Sequence, residues 1–180
     1  MKVLGISGSL RKDSFNTKLL KLVGANLPDG VTFELANYRG VPLFNQDLEK
    51  DVPASVLAFK RQIESADVIV FATPNYNGSI PGVLKNAIDW ASRPALDMKN
   101  SFNGKVGMVI GGTPGMSGTL TAQLHLREIM ANLNVLFVSQ PRVLVSGINQ
   151  LIDESGTLVL DERNEELLKT LIEKTLTLVK

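Results

Sequence analysis

The sequence contains no cysteine and a single histidine, His125, and these two scarcities exclude more chemistry than any other feature of its 180 residues. Without cysteine there is no disulfide, no thiolate nucleophile and no iron–sulfur or cysteine–zinc site. One histidine, inside a helical pattern and at no recognisable motif, offers little for a metal centre or a hydrolase triad, and reads as a packing or subunit-contact residue. No sign of charge dominates either: 19 basic side chains face 18 acidic ones, for a net charge of +1. Such balance argues against nucleic acid or an anionic membrane as the main partner and leaves small molecules open. No apolar run approaches the roughly 20 residues needed to cross a bilayer, and no basic segment leads into an apolar core at the start, so a soluble cytoplasmic protein is expected.

What the sequence does hold is apolar patterning. With 44% hydrophobic residues and no long polar tract, one globular domain over residues 1–180 is expected. Short apolar runs alternate with stripes at helical spacing, the pattern of a parallel sheet with helices on both faces. Strands are predicted at 2–7, 31–35, 68–72, 106–110 and 135–138. The run Val68-Ile69-Val70-Phe71-Ala72 suits a central strand covered on both sides. Helices are predicted from the stripes Leu19, Leu20, Val23, Leu27; Val52, Val56, Phe59, Ile63; Leu84, Ala87, Ile88, Ala91; and Leu120, Leu124, Ile129, Leu133. The stretch 141–157 is mixed and predicts a short strand or hairpin. A last helix over 164–179 opens on Glu165-Glu166 and closes on Lys180, charges that complement its dipole.

Three loops rich in glycine or turn formers follow the first, third and fourth strands, at carboxyl ends where doubly wound sheets bind ligands. The first, Ser7-Gly8-Ser9-Leu10-Arg11-Lys12-Asp13-Ser14-Phe15-Asn16, lacks a Walker lysine, the G-x-G-x-x-G spacing and the second glycine of a nucleophile elbow. Nucleoside triphosphate hydrolysis, a resident dinucleotide and a serine hydrolase are thereby disfavoured. A terminal monophosphate fits instead, with Ser9, Ser14 and Asn16 as donors, Arg11 as charged partner and a helix start near Asn16 or Thr17 supplying N–H groups. The second loop, Pro74-Asn75-Tyr76-Asn77-Gly78, can set backbone groups against the edge of a planar heterocycle while Tyr76 meets its face or borders its access. The third, 111–118, carries four glycines with Thr113 and Ser117 and can offer N–H donors to a developing anion. Lys85 and Asp89 read as a helix-surface pair. Trp90 lies off the core stripe and suits either the core or a subunit contact.

At these residues the chain resembles the NAD(P)H-dependent FMN reductases of the flavodoxin-like fold, a group that includes bacterial quinone, chromate and azo-dye reductases. The segment Gly8 to Asn16 resembles that family's phosphate loop. The run Pro74-Asn75-Tyr76-Asn77-Gly78-Ser79-Ile80-Pro81-Gly82-Val83-Leu84-Lys85-Asn86-Ala87-Ile88-Asp89-Trp90 resembles its flavin-ring signature. One departure is Asn75, where the family usually has glutamate, which removes a charge at the site edge.

The resemblance implies a three-layer α/β sandwich on a five-stranded parallel sheet of order 2-1-3-4-5. It also implies a noncovalent FMN working in ping-pong fashion, with hydride passing from NADPH or NADH to flavin N5 and then to quinones or similar azo, nitro or chromate acceptors. Carried over by position, Ser9, Arg11, Ser14, Phe15 and Asn16 hold the phosphate. Pro74, Asn75, Tyr76, Asn77 and Gly78 take the ring, and Gly112, Thr113 and Ser117 its third side. No catalytic side chain and no metal is required, because the chemistry belongs to the cofactor. A homodimer or homotetramer is implied as well. The rival readings are a flavodoxin-type electron carrier and a nucleotide-binding domain without flavin. Near-neutral charge weighs against the carrier, a class that is typically strongly acidic.

Overall fold

The computed structural model describes residues 1–179. Its sheet is built from strands β1 (Lys2–Ser7), β2 (Thr32–Leu35), β3 (Val68–Ala72), β4 (Val106–Thr113), β5 (Leu136–Phe137) and β6 (Val143–Ser146). All pairings are parallel, in the order β2-β1-β3-β4-β5 with β6 also on β4, so the fold is flavodoxin-like as expected. The five long helices are α1 (Phe15–Ala25), α2 (Ala54–Glu64), α3 (Gly82–Ser92), α4 (Leu120–Asn132) and α5 (Glu162–Leu176).

Alternation along the strands divides the core into two layers. Leu4, Ile6, Ile69, Phe71 and Val109 face α2, α3 and α4, whereas Val3, Val68, Val70, Met108 and Ile110 face α1 and α5. β3 is buried at every residue, which is why its sequence is an unbroken apolar run. Trp90 belongs to the core: it is 1% exposed, donates its Nε1–H to the Pro42 carbonyl at 2.9 Å and meets Phe44 edge to face. Lys60 of α2 is fully buried as well. Its ammonium donates to the carbonyls of Ala91, Arg93 and Lys99, each at 2.8 Å, and so closes the end of α3 and the loop beyond it.

Five elements depart from the sequence reading. α1 begins at Phe15, one residue before the expected start, because Ser14 caps it by accepting from the Thr17 N–H. β4 runs on through Gly111, Gly112 and Thr113, which were expected in a loop, because β6 gives these residues a strand to pair with. The fifth strand shrinks to Leu136–Phe137, and its place further along β4 passes to β6. Leu120 and Leu124 of α4, expected in the core, are 38% and 42% exposed. The core face of α4 is made by Ala122, Gln123, Leu126 and Met130, with the Gln123 amide donating to the Thr119 hydroxyl and the Val143 carbonyl. A small residue and a polar one whose donors are satisfied shift the stripe away from the leucines. α5 starts at Glu162 behind an Asp161 cap and carries Glu162 and Glu165 in its first turn; Lys180, expected to close it, lies outside the described residues. Among the described residues no helix is long and apolar enough to cross a membrane.

Candidate functional site

The three loops come together because their strands are neighbours. β1 lies beside β3 and β3 beside β4, so the segments leaving their carboxyl ends share one crevice. The ladder extends into them: the Gly8 N–H donates to the Ala72 carbonyl at 2.7 Å and the Thr73 N–H to the Ile110 carbonyl at 3.1 Å. Gly111 is required here, since a Cβ would stand 2.3 Å from the Thr73 carbonyl oxygen.

A cavity of about 360 Å³ occupies the crevice. The first loop contributes Ser9, Arg11, Ser14, Phe15 and Asn16, the second Pro74 and Tyr76, and the third Gly112, Thr113 and Pro114. Nine of the thirteen residues expected at the site therefore line one hollow. Pro114 joins them although no motif had singled it out. Asn75, Asn77, Gly78 and Ser117 are not among its lining residues. Asn77 and Gly78 instead form a two-residue turn, both at positive φ (53° and 77°), with Tyr76 and Ser79 exchanging backbone hydrogen bonds at 3.0 Å. This hairpin holds Tyr76, 55% exposed, at the cavity mouth.

Polar groups in the hollow favour an anion near the start of α1. Its first turn carries no acidic side chain, so nothing on the helix competes for the positive dipole end. The Arg11 guanidinium lies 5.0 Å from the Phe15 ring centroid, a contact that restrains a long side chain over the cavity. Ser9 receives the Arg11 N–H at 3.4 Å, and Ser7, bonded to Thr17 at 2.9 Å, ties the loop to the helix.

Asn16 is spent largely on architecture. β4 outruns β3, whose last pair is Ala72 with Ile110, so the Gly112 backbone groups have no strand on that side. The Asn16 amide takes the missing place: it donates to the Gly112 carbonyl and accepts from the Gly112 N–H, both at 3.0 Å. It thus fixes the first loop against the third. Asn75 donates to Thr121 at 3.4 Å, and its Oδ1 is buried with no donor among the described residues. His125 is exposed, and its Nδ1 lies 3.1 Å from the Ser79 hydroxyl, linking α4 to the second loop.

Tyr38 was not anticipated. It is 5% exposed and donates its hydroxyl to the Ser7 carbonyl just ahead of the first loop, while burial pushes its phenol above the ordinary tyrosine range. A guanidinium, two serine hydroxyls and helix-start N–H groups at one end, with proline, tyrosine and glycine backbone at the other, are the donor set that a phosphate monoester carrying a flat ring requires. FMN fits that description.

Comparison with known proteins agrees with this chemistry. A family model described as NADPH-dependent FMN reductase matches residues 1–150. An NAD(P)H-dependent FMN reductase of Pseudomonas aeruginosa is 44% identical over 170 residues, covering 94% of this chain and 90% of the relative. A 2-hydroxy-1,4-benzoquinone reductase of Burkholderia sp. is 40% identical, covering 97% and 93%. Among solved structures, a flavoenzyme NAD(P)H:(acceptor) oxidoreductase from Paracoccus denitrificans superposes with a TM-score of 0.88 at 35% identity, covering 99% of this chain and 96% of the other.

Proposed function

Because the chain belongs to the NADPH-dependent FMN reductase family, we propose that it works as an FMN-dependent NAD(P)H oxidoreductase whose acceptors are quinones. The observation that carries this reading is the meeting of three loops around one hollow with an anion-binding end and a flat-walled end. Ser9, Arg11, Ser14 and the first N–H groups of α1 hold the phosphate, with Phe15 steadying Arg11 and Asn16 steadying Gly112. Pro74 and Tyr76 take one side of the ring, with the Asn77-Gly78 turn holding Tyr76 in place, and Gly112 and Thr113 the other.

Bound FMN supplies the hydride chemistry, taking reducing equivalents from NAD(P)H and passing them to the acceptor. The protein's part is to bind, orient and leave one face open. Among the residues lining the hollow only Arg11 and Tyr76 are titratable, in keeping with a site that needs no side-chain acid or base. Tyr76 borders the entrance through which nicotinamide and acceptor alternate. An entrance this open suits azo, nitro and chromate oxidants as further acceptors.

The working form is a homodimer or homotetramer, supported by exposed Leu120 and Leu124 on α4 and exposed Val83 in the first turn of α3. Its place is the cytoplasm, where NAD(P)H is available. The purified protein should be yellow, release FMN on denaturation and oxidise NADPH or NADH in the presence of a benzoquinone. A yellow protein that oxidises neither nucleotide supports the carrier reading, and one that stays colourless after FMN is added overturns flavin binding altogether.

A further inference from the structure

The Tyr76 hairpin stands at the mouth of the proposed flavin cavity with little of its own to hold it. Residues 76–78 are exposed, and the turn is closed by two backbone bonds alone, those exchanged between Tyr76 and Ser79 at 3.0 Å. A two-stranded hairpin left to itself is marginal in water. Buried Pro74 and Ile80 fix its roots, so its aim depends on what meets the residues just inside them, Asn75 and Ser79.

Both are met by α4. The Asn75 amide donates to the Thr121 hydroxyl at 3.4 Å, and the Ser79 hydroxyl lies 3.1 Å from His125 Nδ1. Among the described residues these are the only side-chain hydrogen bonds made by residues 75–79, and neither Thr121 nor His125 has another side-chain partner. Four positions apart on a helix, Thr121 and His125 share one face at a spacing of about 5–6 Å, close to the gap across a hairpin. That face is not the one that packs. The core side of α4 is Ala122, Gln123, Leu126 and Met130, whereas Thr121 and His125 are exposed.

We infer that Thr121 and His125 are positioning residues for the reaction: they clamp the two feet of the hairpin, fix where Tyr76 stands, and so set the width of the entrance that nicotinamide and acceptor use in turn. Neither lines the hollow, so both act through Tyr76 rather than on a bound molecule. The single histidine of the chain thereby has a role in turnover without being an acid or a base. The inference rests on the oxidoreductase reading above.

The test compares wild type with Thr121→Ala, His125→Ala and His125→Asn, the last of which keeps an amide near the place of Nδ1. Amide hydrogen exchange, followed by NMR on the protein as purified, reads the hairpin directly. The Tyr76 and Ser79 amides should exchange about two- to tenfold faster in each alanine variant, the worth of one neutral hydrogen bond, and His125→Asn should recover the wild-type rate. In steady-state turnover, kcat/KM for the nicotinamide nucleotide and for a benzoquinone should fall together in His125→Ala by a similar factor. When Tyr76→Ala is already present, adding His125→Ala should change neither. Unchanged exchange in both alanine variants, or a kinetic loss in His125→Ala that persists undiminished beside Tyr76→Ala, overturns the inference while leaving FMN-dependent activity intact. Absence of FMN or of any nucleotide oxidation in wild type overturns the oxidoreductase reading instead, and the exchange rates still decide whether α4 holds the hairpin.

Discussion

Replacing Asn16 by alanine should loosen the joint between the first and third loops. Asn16 is 3% exposed, and its amide occupies both the N–H and the C=O of buried Gly112 at 3.0 Å. Alanine leaves that N–H and that C=O facing the end of β3 with no strand to meet. An orphaned buried backbone group costs about 1–3 kcal/mol, so two give about 2–4 kcal/mol after partial relaxation. For a chain of this size that corresponds to a drop in melting temperature of roughly 4–16 °C. Circular dichroism melts of the flavin-free protein read it directly, and FMN affinity should fall in parallel. Asn16→Asp separates the two halves of the joint: it keeps an acceptor for the Gly112 N–H but turns a negative oxygen towards the Gly112 carbonyl. It should lose affinity for FMN beyond its loss of stability, because it also places a negative charge beside the phosphate. If Asn16→Ala melts within 2 °C of wild type and holds FMN as tightly, the idea that this amide stands in for a missing strand residue is wrong.

Arg11→Ala should weaken FMN by roughly ten- to a hundredfold, one charge-assisted hydrogen bond, while riboflavin, which lacks the phosphate, changes little in the same fluorescence titration; equal losses would remove Arg11 from phosphate binding. Gly78→Val places a β-branched residue at φ 77° and should cost about 1–3 kcal/mol with impaired flavin binding, whereas Gly78→Asn, a residue tolerant of that region, should retain it. Lys60→Met should destabilise by about 2–4 kcal/mol at pH 7, because three backbone carbonyls lose their donor. Burial pushes the Lys60 ammonium down to about 8 from the usual 10.5, so between those values the unfolded chain binds the extra proton. Wild-type stability should therefore rise relative to Lys60→Met as pH climbs from 8 to 10.5, and a flat difference in chemical denaturation over that range refutes the shift.

The layered sheet was legible because its central strands are covered on both faces. β3 has no polar residue to blur its pattern, and the loops after β1, β3 and β4 are dense in residues that only turns and anion cradles use. The Asn77-Gly78 turn is as local a signal as sequences carry. The hidden features depend on neighbours far along the chain. Nothing near Asn16 reveals that its amide serves a glycine 96 positions away. α4 was misread because leucines outweigh Ala122 and Gln123 in any hydrophobic stripe, although tertiary hydrogen bonds make Gln123 an interior residue. Tyr38 follows a weak strand and matches no motif, and it is identified as an anchor only by its bond to Ser7.

The broken outer strand has a bearing on how the molecule survives crowding. β5 offers two residues and β6 four, with 138–142 leaving the sheet between them, and β2 at the opposite margin has only four. Neither margin presents a long, continuous row of free N–H and C=O groups on which a foreign chain can zip. A protein whose interior strands are almost wholly apolar is thus protected from templated aggregation at the two places where such growth begins.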